Sequence, residues 1–144
     1  MIRHRIAGLA TACALLAGSA LATATSASAT TDPTGAWDYT VSTTVAGGTL
    51  FVRTHGDVVM LCDEKADGLA PRAEVEFWNG ADWTEVYTLT ASDGYGSCVT
   101  AQASDGGKHN LLEAETYEGL IWLGPNGPRA SGAYDNWVIW YNNS

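Results

Sequence analysis

Hydrophobic and polar residues alternate in several short stretches of the chain. Trp37, Tyr39 and Val41 occupy every second position of residues 37–42, and this period of two predicts a half-buried strand. The run 58–62 is apolar throughout, which is typical of a central strand covered on both faces. These patterns favour a β-rich domain.

The clearest local pattern predicts a β-hairpin. Hydrophobic and polar residues alternate over 73–78 and again over 82–90. The dipeptide Asn79-Gly80 lies between the two segments and readily adopts the positive φ angles of a tight turn. We therefore predict two adjacent antiparallel strands here.

Glycine-containing turns divide the remaining chain into further short strands, which we place at 98–103, 119–123 and 137–141. Segment 109–115 is ambiguous, because its leucines, alanine and glutamates also suit a helical turn. Segment 124–132 holds two prolines and three glycines, which predicts a loop. Short strands at this spacing predict an all-β fold, an antiparallel β-sandwich of about eight strands.

The first 29 residues have the organisation of a secretory signal peptide. A basic opening over 1–5 precedes an uncharged run from Ile6 to Gly18, and the stretch ends in Ala27-Ser28-Ala29. The apolar run is shorter than the roughly 20 residues of a membrane span, and small residues at the end suit signal peptidase. We therefore expect cleavage near Ala29 and an extracellular protein.

Removal of this leader changes the charge of the protein. The leader contains two of the seven basic side chains and none of the sixteen acidic ones, so the mature chain has a formal net charge of −11. Such a domain is repelled by nucleic acid and by anionic membrane surfaces, and we expect neither as a partner. A flexible N-terminal arm (30–35) would precede one domain (36–144), which is long enough for one core.

Two of the three cysteines, Cys62 and Cys98, remain after cleavage. In an oxidising compartment, an even pair in a small domain is most simply one disulfide. The alternatives are a nucleophilic thiol or a metal ligand, but the chain has no CxxC spacing. We predict a structural disulfide.

The densest polar cluster contains Asp57, Asp63 and Asp67, followed by Gly68. Carboxylates on a loop with a glycine can hold Ca²⁺, so the three aspartates are candidate metal ligands and Ca²⁺ is a candidate cofactor. Their spacing does not match the helix-loop-helix calcium pattern, and turns need Asp and Gly for their own geometry. We favour a structural turn over a metal site.

Two glutamate pairs, Glu74/Glu76 and Glu113/Glu115, would each place two carboxylates on one strand face. Glycoside hydrolysis uses paired carboxylates but needs them on opposite sides of the substrate. We therefore expect both pairs to lie on a solvated surface.

Several tryptophans invite a carbohydrate-binding interpretation, because flat rings stack on sugar faces while acids bond hydroxyls. These residues are Trp78, Trp83, Trp122, Trp137 and Trp140. Large aromatic residues also fill the cores of small β domains. Trp78 and Trp83 flank the predicted hairpin turn, so we expect partial exposure there and consider these two as ligand-binding residues.

A further pattern consists of Gly56-Asp57, the apolar run after it, and Asp63-x-Lys65-Ala66-Asp67-Gly68. A Trp-containing strand at 137–141 closes the chain. In these features the sequence resembles a group of small secreted proteins of high-GC Gram-positive bacteria, over roughly residues 50–141. The resemblance implies a compact β-sandwich and no assigned reaction.

These observations favour a secreted, non-catalytic domain that binds a cell-wall polymer, a cation or another secreted protein. One alternative is a secreted inhibitor of a hydrolase, with loop 124–132 as its inhibitory segment. Another is a small hydrolase that uses His55 or His109, although neither lies in a recognisable nucleophile motif. We predict no catalytic residue.

Overall fold

The computed structural model describes residues 35–125 and 135–143. These residues form a sandwich of two four-stranded antiparallel sheets, which confirms the predicted fold class. The strands are β1 Tyr39–Ser42, β2 Gly48–Arg53, β3 Val58–Asp63, β4 Pro71–Trp78, β5 Trp83–Thr90, β6 Cys98–Ala101, β7 Glu115–Leu123 and β8 Asn136–Asn142. The predicted leader, the arm up to residue 34 and residues 126–132 of the predicted loop lie outside the described residues.

The order of strands is β1-β2-β3-β6 in the first sheet and β5-β4-β7-β8 in the second. β3 is buried over its whole length, as its continuous apolar pattern predicts. Val59 and Leu61 point into the core between the sheets, while Met60 is also fully buried. Because both faces of such a strand are covered, apolar side chains are favoured at every position except its end.

The two sheets approach closely at Gly119 in the middle of β7. A Cβ atom there would lie 2.7 Å from Leu50 Cδ2 of β2 and 3.2 Å from the ring of Trp140. Glycine is therefore required by space at this position. The rings of Tyr117 and Trp140 stack at 5.9 Å beside it, and they join β7 to β8 in the core.

The predicted disulfide is present. Cys62 of β3 and Cys98 of β6 are direct cross-strand partners, and their Cα atoms are 4.0 Å apart. β6 has only four residues and lies at the edge of its sheet, so this bond attaches a short edge strand to the central strand.

Segment 109–115 does not form the helical turn that its composition allows. Two short 3-10 helices lie at Ala103–Asp105 and Gly107–His109, and the second ends at the first residue of the segment. The backbone N–H groups of Leu111 and Leu112 donate instead to side chains, the first to the distant Asp57 carboxylate and the second to the Tyr117 hydroxyl five residues away. Within the described ranges, no helix is long and apolar enough to cross a membrane.

Removal of the disulfide by Cys62→Ala together with Cys98→Ala should reduce the free energy of unfolding by about 4 kcal/mol, because the bond closes a long loop in the unfolded chain. The cysteines are 36 residues apart in sequence. Guanidinium unfolding of the oxidised protein and of the double variant measures the difference. Equal midpoints with equal slopes would show that the bond contributes nothing to stability.

Candidate functional site

The outer face of the second sheet carries a group of exposed rings. We call it the aromatic face and define it by Trp78, Trp83, Trp137, Ile139 and Tyr141. Successive side chains of a strand point to opposite faces. Of the residues next to these five, Trp140 belongs to the core, and Phe77 and Val138 pack against it. The alternation therefore places Trp78, Trp137, Ile139 and Tyr141 on the solvent side. Trp83 lies there as the cross-strand partner of Trp78, because the register of β4 and β5 shifts between Val75 and Glu76.

β8 supplies the most exposed part of the aromatic face. Trp137 and Tyr141 are 50% and 51% exposed, and Ile139 between them is similarly exposed. β8 lies at the edge of the sheet beside β7, and four residues of strand separate the two rings by about 13 Å. Sequence reasoning named Trp137 among the aromatic candidates but gave preference to Trp78 and Trp83.

Trp78 and Trp83 lie opposite each other at the ends of β4 and β5. Their ring centroids are 5.3 Å apart with a tilt of 57°. The connection between them has four residues, in which Asn79 Oδ1 accepts hydrogen bonds from the N–H groups of Ala81 and Asp82. Trp78 is exposed and Trp83 is partly exposed, as their place beside the predicted turn implies.

The glutamates on this face depart from the solvated surface that we predicted for them. Glu74 and Glu76 are only 5% and 2% exposed. Both lie on β4, which has β5 on one side and β7 on the other, so neighbouring side chains cover them. Glu76 lies in register with Glu85 of β5 and Glu118 of β7, and the three form one row across the sheet.

The second glutamate pair does not share a strand face. Glu115 begins β7, whereas Glu113 is an exposed residue before it. Ala114, between them, has a φ of 60° and turns the chain. The expectation of a strand face at this position is wrong, although Glu113 itself is solvent-exposed.

The three aspartates proposed as metal ligands are not brought together. Asp57 directly precedes β3 and Asp63 is its last residue, so about 20 Å of extended strand separates them. Asp67 lies farther along the next loop, where it pairs with Lys65 at 3.5 Å and accepts a hydrogen bond from Leu69 N. In residues 35–125 and 135–143, no group of three or more His, Cys, Asp and Glu side chains is spaced to hold a metal ion.

Asp57 instead forms a buried contact between distant parts of the chain. Its Oδ1 accepts a hydrogen bond from Asn142 Nδ2 at 3.0 Å, and its Oδ2 accepts one from Leu111 N at 2.9 Å. Both Asp57 and Asn142 are buried. We call this contact the Asp57 clasp, because it joins the start of β3 to the end of β8.

Neither histidine belongs to a catalytic arrangement among the described residues. His55 is exposed in the β2–β3 turn, and the ring of His109 lies edge-on to Tyr87 at 4.9 Å. No hydrogen bond joins either imidazole to a serine hydroxyl in this part of the chain. Among the described residues, these two histidines therefore give the hydrolase alternative no support.

Tyr87 is a buried polar residue close to the Asp57 clasp. Burial raises the pKa of Tyr87 above the usual tyrosine value, and the negative charge of Asp57 raises it further. Its hydroxyl has no hydrogen-bond partner in the described part of the chain. Burial also raises the pKa of Tyr117, whose hydroxyl differs in accepting a hydrogen bond from Leu112 N at 2.7 Å.

Comparison with protein-family models, with curated proteins and with solved structures found no match.

Replacement of Asp57 by alanine should cost about 3 kcal/mol of unfolding free energy, because two buried hydrogen bonds to a carboxylate are lost. Asn142→Ala should lose part of the same energy, and the double variant should lose less than the sum. Asp67→Ala, which removes an exposed carboxylate with a local bond, is the matched control and should change stability by about 0.5 kcal/mol or less. An Asp57→Ala variant as stable as this control would contradict a structural role for the clasp.

Replacement of Tyr87 by phenylalanine should leave stability at pH 7 equal or higher, because a buried hydroxyl without a partner is removed. Folding raises the pKa of this tyrosine, so above the ordinary value of about 10 the unfolded chain ionises before the folded one. The free energy of unfolding is therefore unaffected by this group below pH 10 and falls as the pH rises above it. Tyr87→Phe should therefore lose less stability than the wild type above pH 10. Unfolding curves across pH measure this effect. Tyr117→Phe should lose about 1 kcal/mol at pH 7, and a larger loss in Tyr87→Phe would overturn the interpretation.

Proposed function

We propose that this protein is a secreted, non-catalytic binding domain that holds an extracellular polysaccharide on its aromatic face. The observation that supports this proposal is the exposure of Trp137 and Tyr141, together with Trp78, on one face of a sheet. Exposed rings of this size are costly in water, and a contiguous group of them is typical of a binding surface. Secretion rests on the predicted leader.

The shape of the aromatic face favours a polymer over a small molecule. Small ligands bind in concave sites that bury most of their surface, whereas these rings lie on strands of an open sheet. Trp78 and Tyr141 are two strands apart across β7, about 10 Å, and Trp137 and Tyr141 are about 13 Å apart along β8. Rings separated in two directions suit an extended chain that contacts more than one of them.

The chemistry of the face favours stacking over hydrogen bonding. Glu74 and Glu76 are too deeply buried to accept hydrogen bonds from a ligand on the surface. The flat rings of tryptophan and tyrosine offer large apolar surfaces at low conformational cost, and the apolar faces of sugar rings match them. The chain is acidic, with a net charge of −9, which disfavours polyanionic polymers. Neutral or cationic polysaccharides are the ligands that remain.

Replacement of Trp137 or Tyr141 by alanine should reduce retention on an insoluble neutral polysaccharide at least about fivefold, because each change removes a ring that contributes 1 kcal/mol or more to binding. The measurement is a pull-down of the purified mature protein with three neutral polymers: microcrystalline cellulose, chitin and insoluble starch. Val45→Ala removes an apolar side chain that is even more exposed, from the β1–β2 turn, and should bind like the wild type.

Two results would contradict the proposal. In the first, the wild type is retained on none of the three polymers. In the second, Trp137→Ala and Tyr141→Ala are retained as well as Val45→Ala. A protein ligand is the competing occupant, and it would be indicated by a stable complex with another secreted protein that forms without any polysaccharide.

A further inference from the structure

The turn between β4 and β5 contains a chemically reactive pair of exposed residues, Asn79 and Gly80. The side-chain amide of an asparagine is an electrophile, and the backbone nitrogen of the next residue can attack it and close a succinimide ring. A side chain on that next residue crowds the nitrogen, whereas glycine leaves it open. Apart from its chain neighbours, no atom lies within 4 Å of the position that a Cβ of Gly80 would take. The attacking nitrogen is therefore unhindered.

The carbonyl oxygen of the Asn79 side chain is held by two backbone donors. Oδ1 accepts hydrogen bonds from the N–H groups of Ala81 and Asp82, both at 3.0 Å. Negative charge develops on this oxygen when a nucleophile adds to Cγ, and a pair of backbone N–H groups stabilises such an oxyanion. The same two bonds fold the side chain back over the backbone that follows it, which is where the nitrogen of Gly80 lies.

The nitrogen of the same amide also has a partner. Asn79 Nδ2 donates a hydrogen bond to Thr84 Oγ1 at 3.2 Å. A hydroxyl can donate as well as accept, so Thr84 can pass a proton to this nitrogen as it departs. Both the oxygen that becomes negative and the nitrogen that leaves are thus positioned by the turn itself.

Asn110 shows the opposite arrangement and serves as an internal comparison. It is exposed like Asn79, but the residue after it is Leu111, which is buried. The N–H of Leu111 donates to Asp57 Oδ2 at 2.9 Å. The nitrogen that would attack Asn110 is therefore crowded by a side chain and held in a hydrogen bond.

We propose that Asn79 is a site of spontaneous deamidation that the fold of this turn promotes. Gly80 N bonds to Asn79 Cγ and gives up its proton to solvent, while the bond between Cγ and Nδ2 breaks. The departing nitrogen takes up a proton through Thr84 and leaves as ammonia. Water then opens the succinimide at one of its two carbonyl carbons, which leaves an aspartyl or an isoaspartyl residue at position 79. The steps consume one water and change no oxidation state.

The product would alter one part of the aromatic face. Trp78 and Trp83 flank the turn, and their ring centroids are 5.3 Å apart. An isoaspartyl residue lengthens the main chain between them by a methylene group, and both products add a negative charge. The two rings would therefore shift relative to each other. The deamidation itself does not depend on the proposed function.

The test is incubation of the mature protein at neutral pH and physiological temperature, followed by peptide mass spectrometry of both asparagine sites. Asn79 should be converted at least about tenfold faster than Asn110 in the same sample, because only its attacking nitrogen is free to approach the amide. Conversion of Asn79 should also be about fivefold or more faster in the folded protein than in urea, because unfolding removes the two oxyanion donors.

Thr84→Val removes the contact to the departing nitrogen and should slow the conversion of Asn79. Thr88→Val changes another exposed threonine of β5 and is the matched control, which should leave the rate unchanged. The proposal is overturned if Asn79 stays unmodified, if it is converted no faster in the folded protein than in urea, or if the two threonine variants react at the same rate. These measurements use no polysaccharide, so this proposal and the proposed function fail separately.

Discussion

The buried carboxylate of Asp57 is the contact on which the arrangement of the two sheets depends. It accepts hydrogen bonds from Asn142 at the end of β8 and from the backbone of Leu111. β3 belongs to the first sheet and β8 to the second, so one side chain connects both sheets and the segment before β7. A buried charge without these donors would be strongly unfavourable, so the three parts stabilise one another.

The part of the aromatic face that lies on β8 is held in place partly by this contact. β8 lies at the edge of its sheet with β7 as its neighbour, and edge strands fray more easily than central ones. Asn142 anchors the end of β8 next to Tyr141, while Trp140 anchors it in the core by stacking on Tyr117. The exposed rings of β8 are thus held in place by the inward-pointing side chains of Trp140 and Asn142. These contacts allow an edge strand to present a rigid surface.

Much of the fold follows from local patterns in the sequence. The strands and the hairpin depend on neighbouring residues, and the disulfide follows from the number of cysteines that remain after cleavage. The same alternation could have separated Trp137 from Trp140, since three positions along a strand place them on opposite faces. The role of Asp57 could not be predicted, because its partner Asn142 is 85 residues away. The burial of Glu76 could not be predicted either, since it depends on which strands flank β4.

The burial of the glutamates has a consequence for the proposed function. Glu74 and Glu76 lie on the same sheet as the exposed rings but are only 5% and 2% exposed, and a central strand covered by its neighbours favours polar groups that are already satisfied within the chain. Under the proposed function, the aromatic face would therefore recognise flat apolar surfaces by stacking, with little discrimination between sugars by hydrogen bonds.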